Sequence, residues 1–281
     1  MSEQRELWSL YEPIHDATYF APAARTAFEA AGLRGFWRGY FAGRAAPLGP
    51  VGPGPVVAAF FGFAPHMVAR ALPGVWQLIT PAAALDARRQ GAADALRAVL
   101  PDVDVATVTE ASQLMREAAS TVEVPGRVLG AANADLPWPE DPVEALWHAA
   151  TILREHRGDG HVAALLVAGL DGAESLVWRS ALAGAGRVWF QPARGWSDDD
   201  WEAAYQRLVE RGWIAADGTA TSVAKDAYRE AEAVTDRLSR GPWDRLGAAA
   251  TKRCAELLRP IALRAATYLP QPNPIGLPPI A

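Results

Sequence analysis

The chain has 281 residues, 50% apolar and 21% charged, with a net charge of −5 and a pI near 5.6. That is enough apolar content for one large or two modest cores, and it excludes a disordered chain. The longest apolar runs, such as Pro55 to Pro65, reach about ten residues against the roughly 20 needed to cross a bilayer, and a single cysteine, Cys254, excludes an intrachain disulfide.

Met1 to Trp8 is charged and lacks the apolar stretch of a secretory signal, so the expected location is the cytoplasm. Lysine is confined to Lys225 and Lys252, and the acidic balance repels phosphate backbones overall.

In chain order, short helices are predicted over Pro22 to Ala31, Arg34 to Ala42, Val56 to Phe63 and Pro65 to Leu72. A Pro/Gly turn region fills Ala46 to Pro55; it follows no strand and is no phosphate cradle. Thr80 and Pro81 open a helix to about Leu100, and Glu110 to Ser120 makes another. Asp141, Pro142 and Glu144 supply a cap, a first-turn proline and an early acid to the apolar-periodic run Ala145 to His156. Gly158-Asp159-Gly160 is then predicted to turn the backbone, with Asp159 capping a helix from His161 to Ala168 that Gly169 closes. Asp171 and Glu174 form a capping box for a helix through about Leu182. Ser197 caps a helix to about Arg211, which Gly212 ends. Trp213-Ile214 and Thr219 to Thr221 flank Asp217-Gly218 as a short hairpin, and a long helix starts at Ser222. Cys254 sits on an amphipathic helix as a small core residue, and Pro270 to Ala281 carries five prolines that force an extended tail.

The order helix, strand, hairpin, strand, helix from Ser197 to Leu238 resembles the recognition helix, wing and following helix of MarR-like winged-helix proteins. The stretch LVERGWIAADGTATSVAKDAYREAE carries the likeness, with Ala224 where those proteins often place glycine. The whole chain resembles an actinobacterial helix-turn-helix family through EPIHDATYF, GYFAGRAAPLG, LREHRGDGHVAAL and the winged segment. The resemblance implies a fold and no activity. The expected architecture is mainly α: a multi-helical, aromatic-rich lobe over 1–135, a winged-helix-like lobe over 136–269 with a short β-hairpin wing, and the tail 270–281.

A recognition helix leans on phosphates through Arg, Lys and backbone amides. From Asp198 through Arg211 there are five acids and two bases, and the tip of the predicted wing has no arginine. Nucleic acid is therefore not an expected partner; the winged segment reads as a packing scaffold or dimer element.

The densest polar segment runs from His148 to His161. There His148 and His156 are expected to look into one cavity; the amides of the Gly158-Asp159-Gly160 turn with Arg154 and Arg157 suit an anion or carboxylate clamp, and His148, His156 and His161 suit proton donors or acceptors. The bland alternative is a helix-helix turn whose Asp and Arg pair with each other. Between Tyr19 and Trp76, eleven of the chain's 25 aromatics cluster with His15, Arg38, Tyr40, Arg44 and His66, enough to line a pocket or fill a core. The usual dinucleotide, P-loop, nucleophile-elbow and His-Glu-x-x-His signatures are absent.

The expected function is small-molecule binding in an aromatic, Arg- and His-lined pocket between lobes. An acid-base enzyme, or one with a His-held haem or metal, is the alternative, and a winged-helix regulator the third. No cofactor is named by any motif. A homodimer paired through about Asp244 to Tyr268 completes the expectations.

Overall fold

A computed structural model describes residues 2–184, 186–271, 275–278 and 280. The tail expected at 270–281 falls in part outside the described residues. Fifteen α-helices run in order among them: α1 Glu3–Phe20, α2 Pro22–Ala30, α3 Phe36–Ala45, α4 Pro53–Phe60, α5 Pro65–Ala69, α6 Pro81–Val99, α7 Val105–Ala119 and α8 Val128–Ala134. They continue as α9 Pro142–Val167, α10 Gly172–Ala183, α11 Arg187–Arg194, α12 Asp198–Glu210, α13 Ser222–Ser239, α14 Gly241–Leu246 and α15 Ala248–Ala265. No single described helix is long and apolar enough to cross a membrane. The chain divides into two compact units, the first made of Met1–Pro50, Gly74–Asp159 and Asp236–Ala281, the second of Val51–Pro73 and Gly160–Thr235.

In the first unit α1 packs on α6 and α15, α2 on α6, and α7 on α15. Leu7, Ile14, Leu96, Met115, Trp147, Leu258 and Ile261 fill the core, with Cys254 fully buried among them. α1 has no counterpart among the predicted elements. Ser2 caps it by accepting from the Arg5 amide, Glu3 and Glu6 favour its N-terminal dipole, and Pro13 is accommodated inside it. The α2–α6 contact is backbone-close. A Cβ on Gly91 would stand 2.7 Å from Ala24 Cα and 2.9 Å from Ala27 Cβ. Gly91→Ala is expected to lower stability by about 1–3 kcal/mol through overpacking, read as a reduced urea midpoint. An unchanged midpoint would mean that the two helices separate freely.

The predicted turn at Gly158-Asp159-Gly160 does not form: α9 runs unbroken for 26 residues. Two glycines inside a helix cost about 1 kcal/mol each, which tertiary contacts offset. The Asp159 carboxylate, instead of capping a new helix, accepts the Gly130 amide at 2.8 Å. Gly130 permits that approach, since a Cβ there would lie 3.0 Å from His156 Cα.

In the second unit the Asp171–Glu174 capping box opens α10, and Ser197 with Asp200 opens α12, as the residue pattern predicts. Gly195-Trp196-Ser197 joins α11 to α12, and α10 packs on both helices. Leu176, Trp178, Trp201, Leu208 and Trp213 form the core, with Ala224 fully buried and its carbonyl accepting from Trp178 Nε1 at 3.2 Å. The expected β-hairpin wing is not built. The chain reverses over Asp217-Gly218, yet it makes one isolated antiparallel bridge, Ile214 to Ala220, and no strand is found among the described residues. The arms are too short for more: the Thr221 amide already bonds the Trp213 carbonyl just before α13 begins.

Candidate functional site

Four polar residues of α1, Glu12, His15, Asp16 and Tyr19, recur at helical spacing; the first three are buried in the first unit and Tyr19 is half-buried beside them. α9 meets them with Thr151, Arg154 and Glu155, and α3 with Tyr40 and Arg44. Arg44 grips Glu155 with two bonds, Nε to Oε1 at 2.9 Å and Nη2 to Oε2 at 3.0 Å. Arg154 donates to Glu155 at 3.0 Å and to Glu12 at 3.2 Å, and Trp8 Nε1 donates to the other Glu12 oxygen at 2.7 Å. Burial opposes charge on Glu155, yet Arg44 and Arg154 hold its carboxyl well below the usual range. Asp16 makes no such bond: both oxygens are buried without a hydrogen-bond partner, and burial, then Glu12, push its carboxyl well above the usual range.

The hydrogen-bond order through His15 is fixed by its neighbours. The Thr151 hydroxyl donates to the Trp147 carbonyl at 2.9 Å, so its oxygen accepts from His15 Nδ1 at 3.0 Å. Burial and Arg154 push His15 well below its ordinary pKa, leaving it neutral. Nε2 is then an acceptor, and the Tyr19 hydroxyl donates to it at 3.0 Å. Burial raises the Tyr19 phenol above its ordinary range, so this dyad holds its protons rather than transferring them.

Thr18, Tyr19, Phe28, Leu33, Phe36 and Tyr40 line a small recess, partly open to solvent, in which the centre of a water molecule can range over about 20 Å³. Arg25 and Glu29, exposed and ion-paired at 2.9 Å, belong to the same lining. The Thr18 hydroxyl is buried without a partner. The recess lies wholly within the first unit, and most of the clustered aromatics pack on one another rather than enclose space: Trp37 contacts Phe36, Tyr40 and Phe41 at centroid distances of 4.9–5.9 Å. Phe60 packs on Phe63 in the second unit.

Of the expected site residues, His15, Tyr19, Tyr40, Arg44 and Arg154 are brought together. The others go elsewhere. His148 and His156 do not share a cavity. His148 meets Trp138 edge-on at 4.8 Å, whereas His156 Nε2 lies 3.3 Å from Glu123, and burial first, then nearby arginines, lower each to about 4. Arg157 bonds Asp236 and Ser239 and lies over the Trp8 ring. Burial raises Asp159 to about 6. His161 bonds Thr235 in the second unit, and Arg38 and His66 are exposed. No group of three or more His, Cys, Asp or Glu among the described residues is arranged to hold a metal ion. Sequence reasoning passed over Glu12, Asp16, Thr151 and Glu155. Their signal was polar residues at core spacing, 12-15-16-19 and 148-151-155.

Both bases of the segment Asp198 to Arg211 are engaged within the second unit. Arg207 bonds Glu174 at 2.7 Å and Asp171 at 2.6 Å, and Arg211 donates to the Ala168 and Gly169 carbonyls. Across that unit eight Arg and Lys face eleven Asp and Glu. A family model described as a helix-turn-helix family matches residues 4–270. No curated protein and no solved structure matches the chain.

Proposed function

The chain belongs to a helix-turn-helix family, and from that premise we propose that it is a small-molecule-binding protein whose ligand sits in the recess of the first unit. One observation carries this reading: two residues of the recess lining, Tyr19 and Tyr40, are hydrogen-bonded to His15 and Arg44 of the buried ionic network. A ligand that touches them bears on the groups whose burial costs most, and binding to the folded state alone adds stability as RT ln(1 + [L]/Kd). Acid-base catalysis is less well supported, because Tyr19 and His15 are both held neutral.

The test is a thermal-shift screen of small aromatic compounds against wild type and Phe36→Ala. Phe36 is 41% exposed, so its truncation spares the core. The expected result is a concentration-dependent rise in Tm that requires about tenfold more compound in the variant. Equal shifts in the two proteins, or no shift with any compound, would sink the reading.

A DNA-binding regulator is the second reading, favoured by the family match. The acidic α12, with Arg207 and Arg211 already bonded, weighs against it. Fluorescence anisotropy with duplex DNA decides the matter: a regulator gives an affinity that falls steeply between 50 and 200 mM salt, as roughly expected of several phosphate contacts.

A further inference from the structure

We propose that Asp16 carries a proton in the folded protein at neutral pH and releases it when the helices around it part, so that the first unit opens with the loss of one proton. This proton is independent of the recess and of any ligand there.

A proton needs no cavity, so the surroundings of the carboxyl decide. Asp16 lies on α1 one turn beyond Glu12 and is 1% exposed. Both of its oxygens are buried, and no donor of the protein reaches either. The other buried carboxylates of the first unit all have donors. Glu12 accepts from Arg154 and Trp8, Glu155 from Arg44 and Arg154, and Asp159 from the Gly130 amide. An ionised carboxylate is an acceptor only, with about four lone-pair sites to fill. Burying it bare costs far more than burying the neutral acid, which forgoes a hydrogen bond but no charge hydration.

The charges nearest Asp16 are balanced without it. α9 presents Arg154 and Glu155, α3 presents Arg44, and Glu12 lies on α1 itself, two cations against two anions. His15, also on α1, is held between Thr151 and Tyr19. Among the other elements packed on α1, α6 turns Arg88 to Asn133 and the Trp147 ring, α2 pairs Arg25 with Glu29, and α15 pairs Arg259 with Glu6. Just past α15, the Tyr268 hydroxyl donates to the Ala95 carbonyl. An ionised Asp16 would be a third anion, competing with Glu12 and Glu155 for Arg154 and Arg44. Burial and Glu12 push its carboxyl in the same direction, well above the usual range.

The unfolded chain ionises this residue near the free value of about 3.9. Above that pH the folded state holds the extra proton, so the contribution of Asp16 to stability drains away as pH rises, and opening delivers the proton to solvent.

The first measurement needs no substitution. Carbon-13 NMR of the full chain, labelled at its aspartate carboxyls, follows the Asp16 resonance, assigned through its own backbone, as pH is raised from about 3 to 8. The expected result is a carboxyl still protonated at pH 7. One that ionises near the free value of about 3.9 is hydrated or paired in solution and overturns the proposal. Urea denaturation then compares wild type with Asp16→Asn, which copies the shape of the neutral acid, so that the histidines and Asp159 cancel in the difference. Between about pH 5 and 7 the unfolding equilibrium constant of wild type should rise about tenfold per pH unit relative to the variant. Profiles that run parallel overturn the proposal, since folding then takes up no proton at Asp16. Should the variant not fold, the carboxyl resonance decides alone.

Discussion

Glu155→Gln is expected to lower the free energy of unfolding by about 3–5 kcal/mol, the cost of leaving buried charge without its partner. Glu155 accepts two bonds from Arg44 and one from Arg154, and its side chain is 2% exposed. Glutamine keeps the shape and removes the charge, so Arg44 and Arg154 lose the carboxylate that they share. Urea denaturation at pH 7 measures the loss, with Arg25→Ala as the surface control, expected under about 1 kcal/mol because its pair is exposed. A Glu155→Gln loss as small as the control would show that water reaches the network. Replacing Arg44 and Glu155 together by apolar residues of similar volume should recover much of the loss, since the pair stabilises mainly against its own disruption.

Stability is expected to fall as pH drops from about 6.5 to 4, the interval between the unfolded histidine value and the folded one. His148 and His156 are lowered to about 4 and His15 well below its ordinary value, all chiefly by burial. A lowered histidine means that the unfolded chain binds the extra proton, so the stabilisation is complete above about 6.5 and is lost on acidification. Each of the first two is worth roughly 3 kcal/mol at about 1.4 kcal/mol per pH unit. Asp159, raised to about 6, acts oppositely: it favours the fold at low pH, and that contribution drains away as pH rises from about 4 to 6. Urea midpoints across this range check both signs. His148→Gln should flatten the profile and Asp159→Asn should steepen it; the reverse pattern would mean that these groups are hydrated.

The second unit was more legible in the sequence than the first. Asp171–Glu174 and Ser197 mark helix starts by local hydrogen bonding, which needs no tertiary knowledge, and both occur as predicted. The wing failed for a reason of length, since Trp213 and Thr221 already bond each other and leave room for a single bridge. The Gly158–Gly160 turn failed because local propensity was overruled by Asp159 reaching across to Gly130. α1 was hidden by Pro13 and by a buried face that is half polar. The same polar face explains the partial success at the site. His15, Tyr19, Tyr40, Arg44 and Arg154 were chosen for their chemistry, whereas the carboxylates that hold them, Glu12 and Glu155, look like surface acids until α1, α3 and α9 are placed together.

Cys254 gives the first unit a built-in clock. It is fully buried on α15, and burial alone pushes its thiol up to about 12, so neither access nor thiolate is available to an alkylating reagent in the closed protein. Modification must wait for an opening of the helices around it, and its rate then counts how often that core comes apart. A ligand that binds the closed form slows the clock, so one mass measurement over time reports on occupancy without any label having been added to the chain.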